Sequence, residues 1–122
     1  MNATEIRPLT PDAILKLLTG RQSGKHVVKH DKRRAPRWAF PAPVELWVPQ
    51  ENGFEGYMLA TCENLSTGGV GVRCDEDLPL GCELAIAIHQ PEKSFHGRAT
   101  VCHSIKMADD YYVGLEFTFD AR

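Results

Sequence analysis

The sequence predicts an all-β domain: a six-stranded antiparallel β-barrel with a short N-terminal α-helix and a flexible basic arm. Three observations predict it. From Val44 to Phe117, short apolar runs recur with turn residues between them, at the spacing of small sandwiches and barrels. Within the runs, apolar and polar residues alternate with the period of half-buried strands. Six strands in about 75 residues would leave two open edges, and closing the sheet into a barrel removes them most simply.

Residues 1–9 carry no periodicity and read as a frayed tail. Thr10-Pro11-Asp12 then starts a helix, with Thr10 as N-cap, Pro11 in the first helical position and Asp12 at the positive end of the dipole. Leu9 and Ile14 stand where a hydrophobic staple places its pair. Ile14, Leu15, Leu17 and Leu18 supply an apolar face, and Gly20 stops a helix expected over 11–19. About nine helical residues are marginal alone, so this helix must dock on the barrel or on a partner. Residues 20–37 are polar, basic and without apolar period, as a mobile linker and arm would be. Pro41 and Pro43 then keep 38–43 extended.

The expected strands are Val44–Val48, Tyr57–Glu63, Val70–Cys74, Glu83–His89, Phe95–Ile105 and Tyr111–Phe117. Turn residues Asn52-Gly53, the loop Asn64–Gly69 and the acidic run Asp75-Glu76-Asp77 separate the first four. Leu84, Ile86 and Ile88 share one face of the fourth strand. Ala99, Val101, His103 and Ile105 share one face of the fifth, and Val113, Leu115 and Phe117 one face of the last. The chain divides into 1–30, holding tail, helix and linker, and 31–122, holding the arm and the barrel.

At 122 residues and 13.6 kDa, with 43% hydrophobic and 25% charged residues, the chain fits one soluble domain. No apolar run approaches the roughly 18 residues that span a bilayer, and residues 1–5 lack the pattern of a secretory signal. A cytoplasmic protein without membrane insertion is expected. Cys62, Cys74, Cys82 and Cys102 form no Cys-x-x-Cys pair, so they read as small buried hydrophobes in a reducing compartment. No metal site or cofactor is expected. The five histidines are dispersed and no serine or cysteine stands in a nucleophile motif, which argues against an enzyme.

The net charge of −2 hides an asymmetry. Arg21 to Arg37 hold seven of the 14 basic residues against one acid, Asp31. The rest of the chain is acidic on balance, which disfavours general nucleic-acid binding. A local cationic patch can still capture a compact anion. In Asp31–Arg37, Pro36 denies Ala35 the helical region, so Arg33 and Arg37 can converge on one object from an extended segment. Their planar forks suit phosphate oxygens and the O6 and N7 atoms of guanine. In Glu63–Gly69, Asn64 and Ser66 offer an amide and a hydroxyl to the polar edge of a base. Gly68 and Gly69 allow positive φ and a close ligand approach.

Arg33-x-x-x-Arg37, followed by a strand pair and then Asn64-x-Ser66-x-x-Gly69, resembles the signature of the PilZ domain family. The ending Tyr112–Phe117 resembles that family's closing strand, and the likeness covers roughly residues 31–119. PilZ domains are six-stranded barrels that bind the bacterial second messenger cyclic di-GMP. The resemblance implies that Arg33 and Arg37 hold phosphates and guanine Hoogsteen edges. It implies too that Asn64 and Ser66 bond a guanine edge, and that Gly69 keeps the loop in shape. Arg34 and Arg73 are further, weaker candidates. Asn64 stands where many members have Asp, which removes a charge-assisted acceptor for guanine N1–H and N2–H₂. The implied function is a bacterial second-messenger receptor that relays binding to a protein effector by a change of shape. Two alternatives stay open: a protein-interaction adaptor whose ligand site is unused, and a single-strand nucleic-acid binder using Trp38, Phe40 and Trp47.

Overall fold

A computed structural model describes residues 5–20 and 38–119. Its elements are β1 (Glu5–Pro8), α1 (Pro11–Gly20), β2 (Trp38–Pro49), β3 (Glu55–Leu65), β4 (Gly69–Cys74), β5 (Glu83–His89), β6 (Lys93–Lys106) and β7 (Tyr111–Thr118). Strands β6-β5-β2-β3-β4-β7 are neighbours in that order and all antiparallel, and a β6–β7 pairing closes them into a six-stranded barrel. The expected architecture is the observed one.

Inward residues from every barrel strand meet in one core. Phe40, Val44 and Leu46 of β2, Leu65 of β3, Val70 and Val72 of β4 and Leu84 and Ile88 of β5 have no exposed surface. Each such side chain contributes about 1.5–3 kcal/mol by leaving water. Helix α1 joins the same core. The Thr10 hydroxyl accepts from the Ala13 N–H at 3.0 Å, the Thr10 carbonyl from the Ile14 N–H at 3.0 Å, and Ile14 is fully buried with Leu9 beside it in the cluster. Leu15 was expected on the apolar face but is 53% exposed, because the face that packs is made by Ala13, Ile14, Leu17 and Leu18.

Three expectations are corrected. Residues 5–8 are no frayed tail: β1 runs parallel to β6, with Glu5 opposite Lys93 and Pro8 opposite His96. The strand is exposed throughout, so no alternation announces it. Strand β2 begins at Trp38, six residues before the expected start. Pro41 lies at a register shift between Ala39 and Ala42, and Pro43 lies beyond the β5 pairing, which stops at Val44. A bulge and an open edge are where a strand tolerates proline. Finally, β6 carries a register shift between Val101 and His103. That bulge breaks the alternation, so Ala99 and Val101 are buried while Ile105 is 52% exposed.

Candidate functional site

The β3–β4 loop is held by its own hydrogen bonds. The Ser66 hydroxyl accepts from the backbone N–H groups of Gly68 (3.2 Å) and Gly69 (3.1 Å) and points its proton at the Gly69 carbonyl, 3.4 Å away. The Ser66 N–H also donates to that carbonyl at 2.9 Å, and the Phe117 N–H of β7 donates to the Gly68 carbonyl at 2.9 Å. A serine between two strands favours such a turn because its short hydroxyl reaches the N–H groups two and three residues on. Ser66 is 3% exposed, so its hydroxyl is spent on the loop. Neither Gly68 nor Gly69 uses the positive φ that glycine allows. The turn is closed by the serine and not by left-handed backbone.

Beside the loop, the outer face of β4, β7 and β6 is built on two glycines. Val70, Val72 and Cys74 point into the barrel, which turns Gly71 and Arg73 outward. Gly71 is the register partner of both Asn64 and Gly114, and Gly114 is in turn the partner of His103. A Cβ on Gly71 would overlap the Tyr112 hydroxyl, and one on Gly114 would overlap the His103 ring. The missing side chains let both rings lie low over the sheet, stacked at 5.7 Å between centroids and 22° between planes. The Asn64 amide Nδ2 donates to the Tyr112 hydroxyl at 3.0 Å. Arg73 lies on this face too, with Nη2 2.7 Å from Asp110 Oδ1 and Nη1 3.1 Å from Glu63 Oε2.

Of the residues singled out from the sequence, Asn64, Ser66 and Gly69 come together on this loop, and Arg73 shares the outer face next to it. Arg73 is clamped by two carboxylates, those of Glu63 and Asp110. Arg33, Arg34 and Arg37, with the expected mobile arm, lie outside the described residues. Tyr112 was not singled out. It lies 48 residues from Asn64, and only the register of β3, β4 and β7 brings the two together.

A second polar line crosses the outer face of β3, β2, β5 and β6. The Tyr57 hydroxyl donates to Glu45 Oε2 at 2.5 Å, and His89 Nε2 lies 2.6 Å from Glu45 Oε1. The Ser94 hydroxyl lies 3.0 Å from both His89 Nδ1 and His96 Nε2. The Tyr57 hydrogen bond is the largest cause holding the Glu45 carboxyl below its ordinary range, and His89 adds to it. The same Tyr57–Glu45 bond pushes the phenol above its usual value. Trp47 covers the line, 6.2 Å from the His96 ring and 5.7 Å from Tyr57. As a β2 residue between the buried Leu46 and Val48 it faces outward. Ser94 is buried with its hydroxyl held between two imidazoles. This line therefore pins the β5–β6 hairpin instead of presenting a nucleophile. The sequence signal was available: His89 and Ser94 flank a four-residue turn and pair across it.

Among the described residues no group of His, Cys, Asp and Glu is arranged to hold a metal ion, and no helix is long and apolar enough to cross a membrane. None of the four cysteines forms a disulfide. Cys62 and Cys74 are buried as expected, but Cys102 is exposed on the outer face of β6. A groove of about 420 Å³ between α1, β1 and the β5–β6 turn is lined by Arg7, Lys16, Lys93 and Phe95, and among the described residues Asn64, Ser66, Gly69 and Arg73 do not border it.

The family model of the PilZ domain matches residues 31–122, three quarters of the chain. The chain belongs to the PilZ family. No curated protein matches it in sequence. Solved PilZ structures share its fold at low identity. The PilZ domain of YcgR from Escherichia coli, solved with c-di-GMP, is 17% identical with a TM-score of 0.55, over 71% of this chain and 78% of that one. The Bacillus subtilis inhibitor of motility MotI/DgrA is 21% identical with a TM-score of 0.58, over 75% of this chain. K. pneumonia MrkH, solved with c-di-GMP, is 19% identical with a TM-score of 0.58, over 73% of this chain. The matches cover 44% of MotI and 45% of MrkH, so this PilZ chain corresponds to less than half of either protein.

Proposed function

We propose that this PilZ chain is a cytoplasmic receptor for cyclic di-GMP and carries no catalysis of its own. Residues 31–122 are the binding unit. Arg33 and Arg37 grip phosphates and guanine Hoogsteen edges, with Arg34 as a further contact. Asn64 meets the guanine edge. Ser66 and Gly69 act by fixing the loop that presents Asn64, and Arg73 contributes only by leaving Asp110 and Glu63. The observation that carries the reading is the loop itself: the Ser66 hydroxyl closes it on the Gly68 and Gly69 amides beside an Asn64 bonded to Tyr112, downstream of an Arg-x-x-x-Arg segment. A preformed rim and a separate cationic segment suit a compact dianion, whose desolvation needs several convergent donors.

Binding then changes the shape of the domain, and a protein effector reads the change. An unpaired sheet edge supports the effector reading. β4 pairs with β3 only from Thr61 onward, so among the described residues one edge of 55–60 is open, with Tyr57 and Leu59 53% and 67% exposed. The same open edge favours the adaptor reading, in which the protein partner is met without nucleotide.

Calorimetric titration with cyclic di-GMP separates the two. The receptor reading expects micromolar or tighter binding by the wild type. It expects Arg37→Ala to lose about 1–3 kcal/mol, the worth of one bidentate contact. A wild type that gives no heat leaves the adaptor.

A further inference from the structure

We infer that residues 55–60 of β3 receive an extended segment of a partner protein as an added strand, one that is apolar along its middle and basic at both ends. The inference rests on the reading above that a protein partner is met. A bare strand edge offers a row of N–H and C=O groups, and proteins usually blunt such rows with short strands, proline, bulges or charge. Two other open stretches among the described residues are blunted in these ways. β1 is four residues long, carries Glu5 and Arg7 and ends at Pro8. β2 before Val44 holds Pro41, Pro43 and a register shift. β3 has none of these over 56–60, where its register with β2 is unbroken. β4 leaves the edge bare because the chain turns away after Cys74, and the Ser104 hydroxyl of β6 donates to Asp77 Oδ1 at 2.6 Å.

The edge is apolar on both sides. On the outer side Tyr57 and Leu59 are exposed, and Phe54 in the turn before them is 74% exposed. The Tyr57 ring is already held, by its hydroxyl on Glu45 and by Trp47 beside it, so little side-chain freedom is lost on contact. On the inner side Met58 and Ala60 are only partly buried against the core, which leaves them to be covered by the inward residues of a new strand. Charge selects the ends. Glu55 stands at one end and Asp75-Glu76 at the other, because the pairing of Thr61 with Arg73 brings the end of β4 level with Ala60. All three are exposed, and among the described residues none has an ion-pair partner. Arg73 is held by Glu63 and Asp110. About six residues at roughly 3.3 Å each separate the two acidic ends, so a strand of that length with Lys or Arg at both ends meets both. Two copies of this chain paired antiparallel over 55–60 would set Glu55 of each near Asp75-Glu76 of the other, and like charges disfavour that.

The test titrates the full chain with three end-capped peptides and follows backbone ¹H–¹⁵N spectra and amide exchange. The probes are Lys-Val-Ile-Val-Thr-Val-Lys, the same peptide with glutamate for both lysines, and the lysine peptide with proline at its centre. The lysine peptide is expected to shift the 55–60 amides and to protect those that exchange in the free protein. The glutamate and proline peptides are expected to bind about tenfold or more weaker. Leu59→Lys puts a blunting charge on an exposed position. It should weaken the lysine peptide to a similar degree and bind cyclic di-GMP as the wild type does. Glu55→Lys with Asp75→Lys should reverse the preference between the lysine and glutamate peptides. Equal binding of those two peptides by the wild type overturns the inference, as do shifts that avoid 55–60. If every 55–60 amide is protected before peptide is added, the chain covers its own edge and the inference falls. A wild-type dimer in sedimentation that Leu59→Lys breaks makes the occupant a second copy and overturns it too. No peptide binding by a wild type that binds cyclic di-GMP leaves the receptor reading standing and removes this inference. Peptide binding at the edge without nucleotide binding keeps the inference and leaves the adaptor.

Discussion

Replacing Ile14 by alanine tests whether the leading helix is part of the barrel. Ile14 has no exposed surface and belongs to the cluster that contains Phe40, Ile88 and Phe95. Truncating a buried isoleucine removes its transfer free energy and leaves a cavity, together about 2–5 kcal/mol. Whole domains are stable by only about 5–15 kcal/mol, so the loss is a large fraction of the total. For a chain of this size about 4 °C of melting temperature goes with each kcal/mol, giving a drop of roughly 8–20 °C. Leu15→Ala is the matched control, since Leu15 is 53% exposed on the same helix and its loss should stay within about 0.5 kcal/mol. Urea unfolding followed by tryptophan fluorescence measures both. A lower midpoint at unchanged slope for Ile14→Ala alone is the expected result. Equal, small effects of the two substitutions would refute the docking of α1 on the core.

Other outcomes follow from particular contacts. Gly114→Ala places a methyl group against the His103 ring, so it should cost about 1–3 kcal/mol of stability and weaken the His103–Tyr112 contact seen in aromatic NOE spectra. Alkylation of the folded protein should mark the exposed Cys102 first, with Cys62 and Cys74 slow; burial also holds the Cys74 thiol above its usual pKa. Peptide mass spectrometry that finds Cys74 labelled as fast as Cys102 would contradict the fold of β4. Because the Tyr57 hydrogen bond holds the folded-state pKa of Glu45 below that of an ordinary glutamate, its ionised form contributes stability above the ordinary value. That contribution is lost as pH falls through the folded value. The wild type should therefore exceed Glu45→Gln in urea midpoint at pH 7 by under about 1 kcal/mol, the gap closing toward pH 3. A gap that widens in acid would reverse the assignment.

What the sequence announced was what local chemistry decides. β5 spans Glu83–His89 as read, because Leu84, Ile86 and Ile88 alternate between clear turns. The start of α1 was legible for the same reason, since Thr10, Pro11 and Ile14 each act within one turn of the helix. β1 was hidden because its four exposed residues gain their pairing from β6, some ninety positions away. The exposure of Ile105 was hidden by a bulge that no composition signals. At the site, Asn64, Ser66 and Gly69 were readable as a motif because they are neighbours in the chain. The Tyr112 hydroxyl on Asn64 and the Asp110 clamp on Arg73 depend on register between distant strands, and register follows from the whole core.

In the proposed complex two chain segments meet around one guest, and backbone ¹H–¹⁵N spectra of the full chain during a cyclic di-GMP titration test that directly. Resonances of residues 33–37 and of residues 64–69 are predicted to move together and to saturate at the same nucleotide concentration. Shifts in only one of the two segments, or none in either at millimolar nucleotide, would contradict it.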